Sequence, residues 1–472
     1  MRQFVCSSIM GLIVLLSFFS NWYTPLCISL LLLLVIMMLY KIGRGIVLLE
    51  VTAVLYVLTC LIMPLAGYEF YSADNRLSRL WVKYMVVSRD VYFSYALPAI
   101  GCFCLAVTWP AFKNKFPDEG NSIKATIGQV KHILSSQKNM GLQIMLVGML
   151  ISLITKFLPV SVSYFAILFF FGSFAGILYI HFSGTFKYKK LVLVLFSIFI
   201  LWNALQTGMF TIVAYMGITI FSFFQLGKKS YMLRKIGFLL LAVLFFIVLQ
   251  NVKLSFRNNT WKNAYQGNRV ELFANLFIDN LQMGDALISK TALFPMYSRT
   301  NQGYNVALVM RRIPTMQPYD NGDRLLTVFA SAFVPRFLWQ DKPEAGGKFN
   351  MKYYAGWNIV GGWSTNVGPL GEAYGSFGPE GGIVYMFVLG LFLRMVYLKV
   401  FKLAAKIPLL ICWLPVLFYL TISSAETDSL QILNSIVKSA FFLWLLIKLL
   451  PGWFGIVKTR PTRRLPVNTL PA

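Results

Sequence analysis

The chain has 472 residues, of which 57% are hydrophobic and only 13% are charged, and its mean hydropathy is +0.66. This composition excludes an ordinary soluble domain and predicts a protein that lies in a lipid bilayer. The net charge of +26 does not indicate a nucleic-acid partner, because the Lys and Arg residues lie mostly between apolar stretches and not in a soluble basic domain.

Apolar stretches of roughly 16 to 23 residues recur along the chain, and about 20 helical residues suffice to cross the hydrocarbon core of a bilayer. The predicted fold class is an all-α polytopic membrane protein with about twelve transmembrane helices. All six cysteines lie inside apolar stretches without the spacing of a metal site, so neither a disulfide nor a metal is predicted. The predicted spans are 5–20, 24–40, 46–66, 91–111, 140–158, 161–180, 191–205, 209–226, 236–250, 382–400, 408–422 and 431–449.

The basic residues are unevenly distributed among the connections between these spans. With the N-terminus inside, 23 of the 43 Lys and Arg residues lie in cytoplasmic segments or at span ends, whereas the short outward links around Asn21, Thr207 and Glu426 carry none. The positive-inside rule therefore predicts that both termini are cytoplasmic, and the expected location is an inner (plasma) membrane. The chain then divides into nine helices over 1–250, an extracytoplasmic loop over 251–381, three helices over 382–450 and a basic cytoplasmic tail over 451–472.

The loop between the ninth and tenth predicted helices is the candidate functional region. It is much longer than a connection requires, and unstructured connections of such length are uncommon unless they have a function. Helix-like pieces are predicted near 270–281 and 324–337. Eleven of the 34 Gly residues lie between Gly346 and Gly382, which indicates tight turns and close backbone approach near the membrane surface.

Three ionisable residues, Glu50, Arg394 and Lys438, fall within predicted spans, where charged groups are candidates for function. Glu50 and Arg394 lie near span ends, so we expect their side chains to reach the lipid headgroups. Lys438 lies deeper and could face the interior of the helix bundle.

Two short patterns in the loop resemble a known family. Residues 334–343 read VPRFLWQDKP and residues 371–381 read GEAYGSFGPEG, just before a late predicted helix. The pattern P-R-x-x-W-x-x-K-P followed by G-E-x-Y-x-x-F-G-x-x-G resembles the Wzy-type oligosaccharide repeat unit polymerases, whose plan of about twelve spans and one large outward loop is also similar. The resemblance is specific over residues 334–381 and loose over the remaining architecture.

The resemblance implies a substrate, a reaction and partners. Family members take undecaprenyl-diphosphate oligosaccharides on the outer face of the membrane and transfer the growing glycan to a new repeat unit. The product is a surface polysaccharide such as O-antigen, capsule or exopolysaccharide. The glycosyl transfer uses neither a metal nor a nucleotide cofactor, and a chain-length regulator and a flippase are expected partners beside membrane lipid.

The outward loop offers cations of the kind that bind diphosphate oxygens. Guanidinium forks hold such oxygens with charge-assisted bonds worth roughly 1.5 to 3 kcal/mol each. Alternatively, these cations are solvated or contact anionic headgroups. The aromatic candidates stack on sugar rings or, alternatively, lie at the membrane interface. The predicted substrate-binding residues are Arg257, Arg311, Arg312, Arg324, Lys342, Trp339 and Tyr374.

The predicted catalytic residues are Glu372, Arg336 and Asp341. Both histidines, His132 and His181, fall on the predicted cytoplasmic side, so a base for the acceptor hydroxyl, if the reaction needs one, is a carboxylate such as Glu372, Asp341, Asp320 or Asp323. Alternatively, electrostatic stabilisation of the leaving diphosphate dominates. Glu372 is favoured because it lies in the Gly-rich motif next to the tenth predicted helix. The alternative is that Glu372 is a hydrogen-bonded carboxylate that pins the loop.

Two other functions compete with polymerisation. An O-antigen ligase-like glycan transferase would share the fold and the grip on a diphosphate, but ligases of that family carry an outward histidine that this chain lacks. A lipid-linked oligosaccharide flippase would place its charges inside the spans, whereas almost all charges here lie between them.

Overall fold

The structure, a computed structural model, describes residues 2–109, 119–207, 211–228, 231–262, 265–282, 284–334, 338–339 and 346–456. These residues form helices and connecting loops, without a strand, which confirms the all-α prediction for this part of the chain. The helices before the long loop are α1 Arg2–Phe19, α2 Tyr23–Lys41, α3 Leu48–Phe70, α4 Arg76–Leu80, α5 Arg89–Thr108, α6 Glu119–Ser136, α7 Met140–Ile154, α8 Val160–Phe182, α9 Lys189–Thr207, α10 Thr211–Gln225 and α11 Met232–Arg257.

The remaining helices begin in the predicted loop and end near the tail. They are α12 Arg269–Gln282, α13 Lys290–Thr300, α14 Gln302–Arg312, α15 Asp323–Phe333, α16 Gly347–Ala355, α17 Gly368–Ala404, α18 Pro408–Glu426 and α19 Ser429–Leu449, of which α18 alternates between 3-10 and α turns. Both predicted loop helices are present as α12 and α15, although residues 335–337 lie outside the described part of the chain.

Eight helices of the described residues are long and apolar enough to cross a membrane, and counting the bent pair of α6 and α7 as one span raises the number to nine. The chain is therefore a membrane-embedded helical protein. Every predicted span contains helix, but α1 counts only as a shorter apolar helix, over Phe4–Phe19, and is not one of these eight. The number of spans is accordingly lower by this measure than the predicted twelve.

The helices on either side of the long loop extend beyond the predicted span ends. Helix α11 continues beyond residue 250 to Arg257, and α17 begins at Gly368, well before the predicted start at Gly382. Helix α17 is interrupted once, at Gly378, whose φ of +70° is open to glycine and strained for other residues. The GEAYGSF motif thus lies in the first part of a helix and not in a loop, and its residues 371–376 are buried.

Close helix packing in the bundle depends on small residues. Helices α7 and α8 approach so closely that a Cβ added at Gly176 would lie 2.6 Å from the backbone nitrogen of Met145, and one added at Gly141 would lie 2.9 Å from Gly176 O. Small residues are enriched at helix contacts in membranes because dispersion contacts between the helices replace the hydrophobic effect there.

Contacts between distant segments define two ends of the bundle. At one end, which we call the loop end, Arg89 pairs with Glu69 at 2.9 Å and the hydroxyl of Tyr297 donates to Lys83 O at 2.8 Å. The loop end thus joins residues 67–90 to the helices between α11 and α17. At the opposite end Lys235 donates to the carbonyl oxygens of Leu39 and Ile42. The segments predicted to face outward therefore meet at one end.

The side chains of the three ionisable residues within predicted spans lie in surroundings that differ from the predicted ones. Glu50 is buried and pairs with Lys41 at 2.8 Å, so its side chain does not extend outward. Arg394 is also buried, with its guanidinium 5.8 Å from the centre of the Tyr397 ring. Lys438 does not face the interior, since its side chain is exposed and its ammonium lies 4.4 Å from the Tyr164 ring centre.

The sidedness of the loop end can be tested by labelling introduced cysteines. Asn358→Cys, exposed at the loop end, should react with an impermeant thiol reagent in intact spheroplasts. Asn139→Cys, exposed between α6 and α7, should react only after permeabilisation. The unmodified chain gives the background from its native cysteines. Reversed labelling of the two variants would place the loop end in the cytoplasm.

Candidate functional site

Glu372, the favoured base, lies buried in the first part of α17 with an exposed fraction of 3%. Its Oε1 accepts a hydrogen bond from Nδ2 of Asn350 on α16 at 2.9 Å, and its Oε2 accepts one from the backbone nitrogen of Ser429 on α19 at 2.8 Å. Buried carboxylates need such donors because an unpaired buried charge is strongly unfavourable. Glu372 therefore joins three helices.

A second carboxylate, Asp428, caps the amino terminus of α19. Its Oδ1 accepts from the backbone nitrogen of Gln431 at 2.7 Å, and its Oδ2 accepts from Nδ2 of Asn366 at 2.8 Å. Side-chain oxygens at this position satisfy backbone N–H groups that lack partners within the helix, and the helix dipole favours their negative charge. Burial nevertheless raises the pKa of the Asp428 carboxyl above its ordinary value.

Asn366 extends this network to α14. Its carbonyl oxygen accepts from Nε2 of Gln302 at 2.6 Å and from Nδ2 of Asn305 at 2.9 Å. The network connects α14, α16, α17 and α19 through buried polar side chains. We call it the polar junction; its members are Gln302, Asn305, Asn350, Asn366, Glu372 and Asp428.

The predicted substrate-binding residue Arg324 lies beside the polar junction. Its charge is within electrostatic reach of the Glu372 and Asp428 carboxylates. Its guanidinium carbon lies 4.1 Å from the centre of the Phe349 ring and 5.7 Å from that of Tyr353. Arg324 therefore contacts the protein around the junction, and its cation–π contacts fix its position.

A separate group of cations gathers around Arg299 at the loop end. Arg299 Nη2 pairs with Glu426 Oε2 at 2.9 Å. The charge of Arg299 acts on Lys253 and Arg257 at the end of α11 and on Lys83 in the segment between α4 and α5. We call Lys83, Lys253, Arg257 and Arg299 the cationic cluster, and Glu426 is the carboxylate that pairs with it.

Lys83 occupies an aromatic environment at one side of the cluster. Its Nζ lies 4.5 Å from the centre of the Tyr304 ring and 5.8 Å from that of Trp357. Burial, together with the positive charge of Arg299, lowers the pKa of Lys83 to about 8. Lys83 is thus a cation whose charge is readily lost unless an anion stabilises it.

The cluster has the electrostatics of a polyanion site. The cluster brings together four cations, of which Lys253 is only 7% exposed, whereas the Arg299 side chain is 48% exposed. Like charges in a partly buried site repel one another, and an anion with several oxygens would relieve that repulsion. The exposed face of Arg299 provides the approach for such a ligand.

Sequence reasoning identified only Arg257 of these four cations. Lys83 and Arg299 belong to segments far apart in the chain, and neither lies in a recognisable motif. One signal was present, because Lys253 and Arg257 are four residues apart and therefore lie on one face of a helix. Because that helix was predicted to end at residue 250, the two residues were assigned to the loop and their helical spacing was not considered.

The other predicted site residues are dispersed. Arg311 is exposed at the end of α14 within electrostatic reach of Tyr304, and Nε of Arg312 donates to Gln317 at 3.3 Å. Tyr374 is buried, with its ring against that of Tyr95, and Trp339 is half-buried. The predicted residues Arg336, Asp341 and Lys342 lie outside the described part of the chain.

Residues 122–452 match the family described as Domain of unknown function (DUF8712). The chain belongs to this family. No curated protein and no solved structure is similar enough to the chain to match it. The DUF8712 region contains the polar junction, Lys253, Arg257, Arg299 and Glu426, whereas Lys83 precedes it.

Glu372→Gln should destabilise the protein. A glutamine keeps one accepting oxygen, so either Asn350 or the Ser429 backbone would face an amide NH₂ and lose its acceptor, at a cost of about 1 to 3 kcal/mol. We expect a lower midpoint of thermal unfolding in nanodiscs. Glu380→Gln, exposed on the same helix, is the matched control and should unfold like the unaltered protein. Normal stability combined with lost transfer activity would instead favour Glu372 as a base.

Anion binding should depend on the protonation of Lys83. Without ligand the pKa of Lys83 is about 8, so the protonated fraction falls from about nine-tenths at pH 7 to about one-tenth at pH 9. The affinity for inorganic pyrophosphate, used as the anion probe, should fall about tenfold over this interval. The affinity of the Lys83→Arg variant should fall much less, because arginine stays charged over this interval. The titration of the ligand itself is the same for both proteins. Identical pH profiles would exclude Lys83 from the anion site.

Proposed function

We propose that this chain is a membrane-embedded glycosyltransferase that joins polyprenyl-diphosphate-linked oligosaccharide repeat units into a surface polysaccharide. The observation that carries this proposal is the cationic cluster at the loop end, where Arg299 pairs with Glu426 and its charge acts on the three other cations, Lys83, Lys253 and Arg257. The resemblance of residues 334–381 to Wzy-type polymerases supports the same reaction class.

The position of the cluster suits a diphosphate that is attached to a lipid. Lys253 and Arg257 lie in the last turns of α11, and the preceding part of that helix exposes apolar side chains such as Leu240 and Leu241, each 64% exposed. Such a surface faces lipid tails in a membrane. The cations then lie at the depth where the diphosphate of a polyprenyl lipid is found.

The proposed reaction transfers the growing glycan from its lipid to a hydroxyl of a new repeat unit. The bond between sugar C1 and the diphosphate oxygen breaks, and that oxygen keeps the electron pair. The acceptor oxygen forms the new bond to C1 and loses its proton. Cations placed in advance around the diphosphate stabilise the charge that develops on the leaving group.

The proton of the acceptor hydroxyl requires an acceptor of its own. A general base must come within hydrogen-bond reach of that hydroxyl. Both oxygens of Glu372 already accept hydrogen bonds within the polar junction, whereas Glu426 lies in the cationic cluster. Among the described carboxylates, Glu426 is therefore our preferred base, and Glu372 our preferred structural carboxylate.

The proposal includes a cellular setting. We propose that the loop end faces outward from a bacterial inner membrane, as the distribution of Lys and Arg predicts. There the enzyme would receive undecaprenyl-diphosphate oligosaccharides from a flippase, and a chain-length regulator would act on the polymer.

Polymerisation by the purified protein is the direct test. The full chain in nanodiscs, given undecaprenyl-diphosphate repeat units, should produce a ladder of longer glycans on the lipid. Arg299→Met should reduce the rate at least about a hundredfold, because it removes the central cation from the developing charge. Arg79→Met, which removes an exposed arginine of α4 outside the cluster, should retain activity.

Single-turnover measurement separates the roles within the cluster. Glu426→Gln should slow transfer by about a hundredfold or more without weakening the affinity for the donor lipid, as expected for a base. Glycan transfer only to a lipid-core acceptor would identify a ligase. Movement of the lipid across the membrane without a new glycosidic bond would identify a flippase. Unchanged turnover by Arg299→Met would refute the proposed site.

A further inference from the structure

The cations of the cluster are arranged in an order along the surface. The charge of Arg299 acts on Lys83, Lys253 and Arg257 alike. Arg299 lies on α13, and α13 packs against α11, the helix that carries Lys253 and Arg257. Tyr297, also on α13, donates a hydrogen bond to Lys83 O at 2.8 Å. Arg299 therefore lies in the middle, with the α11 cations on one side and Lys83 on the other.

The two sides of this row have opposite chemical character. Beyond the α11 cations lies the exposed apolar surface of α11, where Leu240 and Leu241 are exposed. Beyond Lys83 lie aromatic rings: the Tyr304 and Trp357 ring centres are 6.4 Å apart, and those of Trp357 and Trp363 are 5.8 Å apart. We call Tyr304, Trp357 and Trp363 the aromatic platform.

The aromatic platform is held in place and partly open. Tyr304 is buried beneath it, whereas Trp363 is 51% exposed. The segment that carries Trp357 and Trp363 is fixed by Lys348, which donates to Gly361 O, and by Asn305, whose Nδ2 donates to Thr365 Oγ1 at 2.9 Å. A rigid aromatic surface loses little conformational entropy when it binds a ligand.

We infer that the row orients the donor lipid, with the polyprenyl chain along α11, the diphosphate on the cluster and its first sugar on the aromatic platform at Trp363. The apolar face of a sugar ring packs on an aromatic ring, and the platform begins where Lys83 ends the row of cations. The inference rests on the proposed function, because it assigns a sugar subsite to the same diphosphate site.

Two lipids separate the sugar contact from the diphosphate contact. The probes are undecaprenyl diphosphate and the same lipid that carries one N-acetylglucosamine, with dissociation constants measured for the full chain in nanodiscs. Trp363→Ala should weaken binding of the glycosylated lipid about fivefold, the size expected for one aromatic contact, and change binding of the bare lipid less than about twofold. The Trp363→Phe variant should recover most of the affinity for the glycosylated lipid that Trp363→Ala loses.

Trp81→Ala is the matched control, because Trp81 is an exposed tryptophan of the loop end outside the platform, and it should alter neither constant. If Trp363→Ala lowers the affinity for both lipids equally, or for neither of them, the inference is overturned. Arg299→Met should weaken the binding of both lipids. If Arg299→Met leaves the bare lipid unaffected, the proposed diphosphate site fails, and this outcome is distinct from failure of the sugar subsite.

Discussion

Glu372 and Asp428 meet at the amino terminus of α19, where one accepts the backbone N–H of Ser429 and the other that of Gln431. Two buried carboxylates are tolerated there because backbone donors, amide side chains and the helix dipole surround them. The arrangement of the loop end depends on this interaction, since Asn350 and Asn366 connect the same carboxylates to α16 and α14. Helix α14 in turn carries Tyr304 beneath Lys83.

The membrane architecture could be predicted because it follows from local hydropathy. Each apolar stretch must satisfy its own backbone hydrogen bonds in lipid, so composition and length suffice to locate helices. The start of α17 could not be predicted in this way. Its Gly and Pro residues indicate a loop locally, but they permit contacts such as that of Gly375, where an added Cβ would lie 2.5 Å from the Tyr354 ring. Tertiary packing there outweighs local propensity.

The candidate site was predicted only in part for a related reason. Glu372 stands out in its motif, yet its partners Asn350 and Ser429 come from other segments and carry no signal of their own in the sequence. The cationic cluster is assembled from α11, α13, α18 and the segment after α4, so its members become neighbours only in the folded chain. A search for charged residues within the predicted loop alone does not find Lys83 and Glu426, because both lie outside that loop.

This assembly from distant segments bears on the design of chimeras between DUF8712 proteins. A chimera that exchanges only residues 251–381 would import Arg257, Arg299 and the aromatic platform but keep Lys83 and Glu426 of the host. Arg299 and Glu426 would then come from different parents, and their ion pair would have to form between segments of different origin. Selectivity in such a protein cannot be transferred with the long loop alone. The long loop and the framework that supports it must evolve together.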